Sequence, residues 1–477
     1  MAHRSRYTLT RPSAAILPFG DTPSQNVFYC ALLSKNNISR CYRFSRTGRA
    51  CMAERGITYS IAVIGSGMAG LTAAYRARCA GHSVTVFETH NNHGMDAHRL
   101  NVNNGLVDVP LRVMSPDSWP SLLALAKEVG VSTFNVHTHT SCSWTNRHTW
   151  FRSGEVPLLR WPFIGSWRYL NRRALRMGLG IWQLRRLTRQ LEHLSNDATL
   201  NDATLADILQ QHSFDSLFWR GLVLPILTTI CTCEEQHLLN WPAAQLLSLL
   251  NGILHSSQLC RLEGGTSALV QALAKDLPLH SGSPVVQVKT GEQGVKVYNQ
   301  RGDGGVFDRV IVATQANQLS FLDDSQFGAE RDMLQNIHFD SGELWVHQDS
   351  RFMPLKQQDW TALNFQLDKT LKKPMFTVWV NKVEPTLSSC APVFQTWNPL
   401  FEPKPDTVLA RIPLQRAVVT PGTAKVHKAL KQWHHQSGRQ VFFCGSWAYE
   451  GVPLLESAVQ SANAVVDIIN QAVLQKP

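Results

Sequence analysis

The sequence predicts an α/β protein with a parallel sheet, and three observations carry that prediction. The first is a short apolar run, Ile61 to Ile64, rich in β-branched residues and too short for a helix; it reads as a buried strand. The second is the glycine-spaced turn of Gly65, Gly67 and Gly70, which leads into an alanine-rich helical stretch from Leu71 to Cys79 that Gly81 ends. The third is another strand, Val84 to Phe87, closing on Glu88, 23 positions after Gly65. Strand, turn, helix, strand and acid in this order make a dinucleotide-binding unit. Gly65 permits the tight turn, Gly67 lets the backbone approach a pyrophosphate, and Gly70 lets helix and strand pack closely. The run Gly65, Ser66, Gly67, Met68, Ala69, Gly70 therefore offers amides at a helix N-terminus to the pyrophosphate, and Glu88 accepts from a ribose diol.

At 477 residues the chain has room for two or three domains, and 44% hydrophobic with 17% charged residues describes a globular protein. The net charge of +11 first suggests a polyanion partner. Residues 1–55, however, hold eight arginines and Lys35 against only Asp21 and Glu54, which leaves 37 basic and 33 acidic residues for the remainder. Nucleic acid is not an expected partner. An Arg-rich, Ser-bearing, acid-poor leader without a long apolar core is the pattern of an organellar transit peptide. Its last stretch, Thr47 to Ala53, resembles a plastid processing region, so a plastid (chloroplast) address is expected, with the mitochondrion second. The ten cysteines are scattered, and Cys231-x-Cys233 has no second pair or His partner, so no metal is expected. No run of eighteen apolar residues marks a transmembrane helix.

Along the chain, Gly105–Val109 reads as a strand and Ser118–Val129 as a helix with Leu122, Leu123, Leu125 and Ala126 on its apolar side. From Trp150 to Arg189 arginines interleave with Trp and Leu. Helical spacing there puts Arg168, Arg172 and Arg176 on one side, Arg173 beside them and Trp or Leu opposite, so a peripheral membrane contact through 161–189 is expected. Asn196–Leu200 is repeated as Asn201–Leu205, and Thr204 is placed to cap a helix over Ala206–Gln211. Helices follow over Phe218–Leu227 and Ala243–Leu254. Glu263-Gly264-Gly265-Thr266 leads into another helix, and a meander over Val285–Lys289, Gly294–Tyr298 and Asp308–Thr314 comes next. Mixed strands fill 340–400. A buried strand through Gln440–Gly445 then enters a loop, Ser446–Pro453, and a helix, Leu455–Ile469.

With these phrases at its joints, the chain resembles the flavin-containing amine oxidase superfamily, in its predicted NAD/FAD-binding amine-oxidase-like branch, over roughly 58–470. The resemblance rests on GSGMAGL (65–71) with Glu88, EGGTSAL (263–269), SPVVQV (283–288), FDRVIVAT (307–314) and FFCGSWAYEGVPLLESAVQSA (442–462). It implies FAD as cofactor. It also implies a Rossmann-like FAD-binding domain assembled from three chain segments, with an inserted mixed-sheet and helical substrate domain. The expected segments are 1–55 transit peptide; 56–115, 256–320 and 431–477 FAD-binding; 116–255 helical cap; and 321–430 substrate sheet. By the same resemblance Val285 pairs its backbone with adenine, and Gly445 and Ser446 approach the ribityl–phosphate chain. Glu456, Ser457, Ala458 and Val459 then open a helix facing the flavin pyrimidine. Two departures stand out: His93–Arg99 keeps one glycine where the family has a paired-glycine turn, and Ala462 stands where glycine is usual.

For chemistry, the resemblance implies oxidoreduction at the flavin. Lys372 and Lys373 lie in the substrate region without a spacing that picks either, and no catalytic residue is legible. Tyr449 and Trp447 are the aromatic candidates beside the substrate. A Trp- and Leu-rich insertion suits an apolar tunnel, and its arginines suit a carboxylate or lipid headgroup. The expected reaction is therefore desaturation or isomerisation of a hydrophobic small molecule, a fatty acyl chain or carotenoid. A genuine amine oxidase releasing hydrogen peroxide, or a flavoprotein whose FAD is structural and which acts as a binding module, are the alternatives. Residues 150–190 contain Glu155 alone among many arginines, which argues against a cationic substrate.

Overall fold

The computed structural model describes residues 57–92, 94, 99–154, 167–193, 203–231, 233–255, 259–302, 304–372 and 374–474. The leader, the tandem repeat's first copy, Glu155 and Trp161, Lys373 and most of the turn after Glu88 lie outside the described residues.

A five-stranded parallel sheet forms the frame. Its strands run in the order Val441–Phe443, Arg309–Val312, Ser60–Ile64, Ser83–Phe87 and Leu279–His280. The central strand is buried on both faces, which is why it reads as a continuous apolar run rather than an alternation. The helix Met68–Cys79 crosses one face and meets the C-terminal helix Leu455–Leu474. Ala73, Ala74 and Ala77 share a buried cluster with Ala462, Val465 and Val466, so alanine at 462 fits this interface.

A seven-stranded mixed sheet runs in the order Val408–Val418, His338–His347, Phe394–Trp397, Pro374–Trp379, Leu363–Leu367, Thr140–Trp144 and Thr149–Arg152. Helices Leu224–Cys231 and Ala243–His255 pack in the same core cluster as its residues Phe365 and Leu367. The chain is thus a mixed α/β protein with one parallel and one mixed sheet, as expected. The meander differs from expectation: its third strand is Gly305–Phe307, while Arg309–Val312 joins the parallel sheet. Apolar side chains buried on both faces suit that central position better than an edge. Thr204 caps Leu205–Gln211 in a capping box with Asp207.

The arginine-rich stretch also departs from expectation. Trp167–Tyr169 forms a short 3-10 turn, and the long helix begins at Arg172, so Arg168 is not on it. Ala174, Met177, Gly180, Leu184 and Leu187 face inward. A side chain at Gly180 would lie 2.2 Å from Phe218, so close packing requires glycine there. The outward face does not separate arginine from apolar residues. Arg172, Leu175, Leu179, Trp182, Arg186 and Arg189 are all exposed at alternating spacings of three and four, which makes one stripe. Among the described residues no helix is long and apolar enough to cross a membrane.

Candidate active site

The glycine turn takes the shape its spacing requires. Gly65 has φ +100°, and a Cβ there would sit 3.1 Å from the Ala313 carbonyl oxygen. A Cβ on Gly70 would come within 1.9 Å of the Gly65 carbonyl oxygen, so no other residue fits. Gly67 differs from both, because nothing lies within 4 Å of its Cβ position. It opens the helix Met68–Cys79 without a side-chain cap, leaving the first-turn amides facing open space. An anion of the pyrophosphate class fits that space.

Glu88 is buried beside the turn. Its Oε2 accepts from Ser66 N at 2.8 Å and Ser66 Oγ at 2.5 Å, and its Oε1 accepts from His90 N at 2.9 Å. A carboxylate offers about four acceptor positions, so one remains for a ribose hydroxyl. Gly94 N donates to Ser66 Oγ at 2.9 Å, which draws the retained glycine of the following loop over the turn. Ser283 N donates to the Glu88 carbonyl at 2.8 Å, bringing the start of the strand Val285–Gly291 alongside. Val285 is half-buried and pairs with Asn299.

From the turn a cavity of about 460 Å³ runs toward the seven-stranded sheet. Gly67, Met68 and Ala69 line one end, with Gly445, Ser446, Trp447 and Ala458 beside them. Ile226, Ile230, Leu249, Leu363, Phe376 and Val378 line the apolar remainder. The helical insertion thus supplies wall residues from Leu224–Cys231 and Ala243–His255, whereas the exposed arginines of Arg172–His193 do not line the cavity.

Several expected site residues have side chains that do not line the cavity. Glu456 turns its carboxylate to the start of helix Pro120–Glu128, accepting from Ser121 N at 3.0 Å and Leu122 N at 2.9 Å. Two amides of a helix N-terminus are a strong attraction for a carboxylate. Val459 is fully buried between helices. Of that helix's first turns, Leu455 and Ala458 reach the cavity. Trp447 lines it, with its ring nitrogen donating to the Thr314 carbonyl at 2.9 Å. Tyr449 is 38% exposed and stands outside the cavity, as does Lys372, so neither is a candidate for substrate contact.

Two cavity residues escaped notice in the sequence: Arg112 and Arg416. The only local signal is a lone arginine in an apolar run, Leu111-Arg112-Val113 and Arg416-Ala417-Val418. Arg112 Nη1 donates to the Pro110 carbonyl at 3.2 Å and Thr266 Oγ1 at 3.1 Å. Arg416 Nη1 donates to the Ile230 carbonyl at 3.2 Å. The Cys231 and Cys233 thiols are buried, and burial pushes Cys233 up to about 12 and Cys231 well above the usual range. Among the described residues no cluster could hold a metal ion.

Residues 68–415 match the family model described as flavin containing amine oxidoreductase, so the chain belongs to that family. It is an FAD-dependent oxidoreductase. An engineered putrescine oxidase is similar in structure at a TM-score of 0.63 and 16% identity, over 87% of this chain and 99% of that one. A proposed protoporphyrinogen oxidase from Exiguobacterium sp. 255-15 is similar at a TM-score of 0.58 and 14% identity, over 87% and 100%. An oxidoreductase from Methanosarcina mazei is similar at a TM-score of 0.58 and 15% identity, over 86% and 100%. No curated protein matches the chain.

Proposed function

We propose that the chain desaturates or isomerises a hydrophobic small molecule, of the fatty acyl or carotenoid class. The observation that carries this reading is the cavity wall: apolar side chains along most of its length, and no carboxylate among its described lining residues. An amine substrate calls for carboxylates or an aromatic cage, and the described lining supplies no carboxylate. Two arginines in the same cavity oppose a cation.

In this reading the FAD-binding part comes from 56–115, 256–320 and 431–477, and the substrate part from 116–255 and 321–430. Gly65, Ser66, Gly67, Met68, Ala69 and Gly70 hold the pyrophosphate, Glu88 the ribose and Val285 the adenine. Gly445, Ser446 and Ala458 bound the flavin end. When bound, FAD supplies the two-electron acceptor for hydrogen removed from substrate carbon. The chain's own residues bind the apolar body and orient it, and the hydride and the proton that leave adjacent carbons in a desaturation together make up the two hydrogens of the reduced cofactor.

The outward stripe of helix Arg172–His193 supports a membrane-surface role in the same reading. Leu175, Leu179 and Trp182 are 65%, 53% and 58% exposed, with arginines at both ends of their row. Apolar residues flanked by arginine suit an anionic lipid interface, from which a hydrophobic substrate is drawn. Residues 1–55 complete the reading as a plastid-targeting leader. Untargeted lipid and pigment profiling of cells lacking the protein tests the function. Accumulation of a more saturated or differently isomerised apolar compound is expected, whereas an accumulated amine with an unchanged lipid and pigment profile contradicts it.

A further inference from the structure

The cavity brings together two guanidinium groups from distant parts of the chain, Arg112 after strand Gly105–Asp108 and Arg416 in strand Val408–Val418. A guanidinium carries five N–H donors. Each of these two commits a single nitrogen, Nη1, to protein oxygens among the described residues. Both side chains are half-buried, and what they expose faces the cavity.

Neither makes an ion pair among the described residues. Asp108, the acid that acts on Arg112, is held by Arg261 Nη2 at 3.1 Å and by the Thr266 amide. Asp340 sits opposite Arg416 in the strand register, but its carboxylate meets His237 Nδ1 at 2.6 Å. Burial pushes Arg112 down to about 10, Asp108 opposes that, and the charges of Arg416 and Arg261 add to it. Burial lowers Arg416 as well, against the influence of Cys231. Both arginines stay cationic at neutral pH. Two like charges without an ion-pair contact of their own, beside a largely apolar cavity, are costly until an anion joins them. A planar guanidinium matches a carboxylate by two parallel hydrogen bonds.

We propose that Arg112 and Arg416 bind the carboxylate head of the substrate, with its apolar body along Ile226, Ile230, Leu249 and Phe376. The substrate class is then an apolar carboxylic acid. This rests on the hydrophobic-substrate reading and narrows it. Thr266 and Pro110 hold Arg112 in position, while the main-chain oxygen of Ile230 holds Arg416 at the edge of the apolar wall.

Calorimetric titration of the FAD-loaded protein with laurate, methyl laurate, dodecylamine and butyrate tests the assignment. Laurate is expected to bind roughly tenfold or more tighter than its methyl ester or the amine, the size of one charge-assisted hydrogen bond. R112Q and R416Q should each weaken laurate roughly tenfold, leave methyl laurate unchanged and keep wild-type FAD content, with R112K and R416K recovering part of the loss. Equal binding of laurate and methyl laurate overturns the carboxylate site while leaving the hydrophobic reading in place. Butyrate binding as tightly as laurate, lost in R416Q, supports the site and sinks the hydrophobic reading. Loss of FAD in both glutamine variants, with laurate affinity per loaded protein unchanged, means that the arginines serve anionic groups of the cofactor and overturns the proposal. Failure of laurate and butyrate alike to bind overturns it too.

Discussion

Arg261 Nε donates to the main-chain carbonyl of Arg112 at 3.2 Å, so a fully buried arginine fixes the backbone of a cavity-lining one. The same guanidinium bridges Asp108 at 3.1 Å and Glu384 at 2.6 Å. Asp108 in turn accepts from the Thr266 amide, and a side chain at Gly265 would lie 2.5 Å from its Oδ1. The two glycines of the Glu263–Thr266 phrase, both at positive φ, thus seat a helix start on Asp108 and set the cavity's wall.

Removing Arg261 leaves two buried carboxylates without their cation. Arg261→Leu is expected to lower stability by about 3–5 kcal/mol, the usual cost of breaking a buried ion pair from one side. Denaturant titration measures it, and a loss below about 1 kcal/mol contradicts the network's role.

Gly67 and Gly70 separate binding from folding. Gly67→Val meets open space, so the apoprotein should keep its stability within about 1 kcal/mol while losing flavin absorbance, since in the proposed placement of the cofactor the side chain stands where the pyrophosphate comes. Gly70→Val drives a side chain into the Gly65 carbonyl and should fail to fold stably. Equal FAD content in Gly67→Val and wild type contradicts the placement of the cofactor.

The reach of the sequence is clear from these residues. The turn from Gly65 to Gly70 and Glu88 were legible because local rules govern them: a positive φ, a close approach, an acid at the end of the second strand. The carboxylate of Glu456 was not, because its partners Ser121 and Leu122 lie far back in the chain and meet it only in the folded state. Arg112 and Arg416 come from different segments, and nothing in either segment marks their convergence. Gly180 stands inside a helix, where glycine is unfavourable, and only the nearness of Phe218 in the folded chain explains it. Tyr449 and Trp447 are two positions apart in one loop, yet one is exposed and the other buried.

Acid should weaken the flavin end of the fold. His434 Nε2 accepts from the Phe443 amide at 3.0 Å, and burial, followed by the charges of Arg439 and His435, pushes it down to about 3. The imidazole is therefore neutral when folded but protonates near 6.5 when unfolded. The unfolded chain binds the extra proton between these values, so this stability is present above about 6.5 and is lost as pH falls toward about 3. Between pH 7 and 5 one such histidine costs about 2 kcal/mol. His434→Gln keeps an acceptor without the titration, and its stability should fall less over that range by about that amount. Parallel pH profiles for the two proteins rule this out.

The stripe on helix Arg172–His193 predicts salt-sensitive binding to anionic vesicles. Each arginine near such a surface contributes on the order of 1 kcal/mol, so Arg172→Gln, Arg186→Gln and Arg189→Gln together should reduce co-sedimentation at low salt by tenfold or more. Leu179→Ser with Trp182→Ser should weaken it without altering the salt dependence. Equal binding by all variants means that the substrate reaches the cavity from solution or from a carrier protein.

The most direct test of the account is anaerobic mixing of the FAD-loaded protein with candidate substrates while the flavin spectrum is followed. Bleaching by an apolar carboxylic acid or carotenoid, with none by putrescine or a long-chain amine, is the predicted result. Bleaching by an amine, with hydrogen peroxide released when air is admitted, would contradict it.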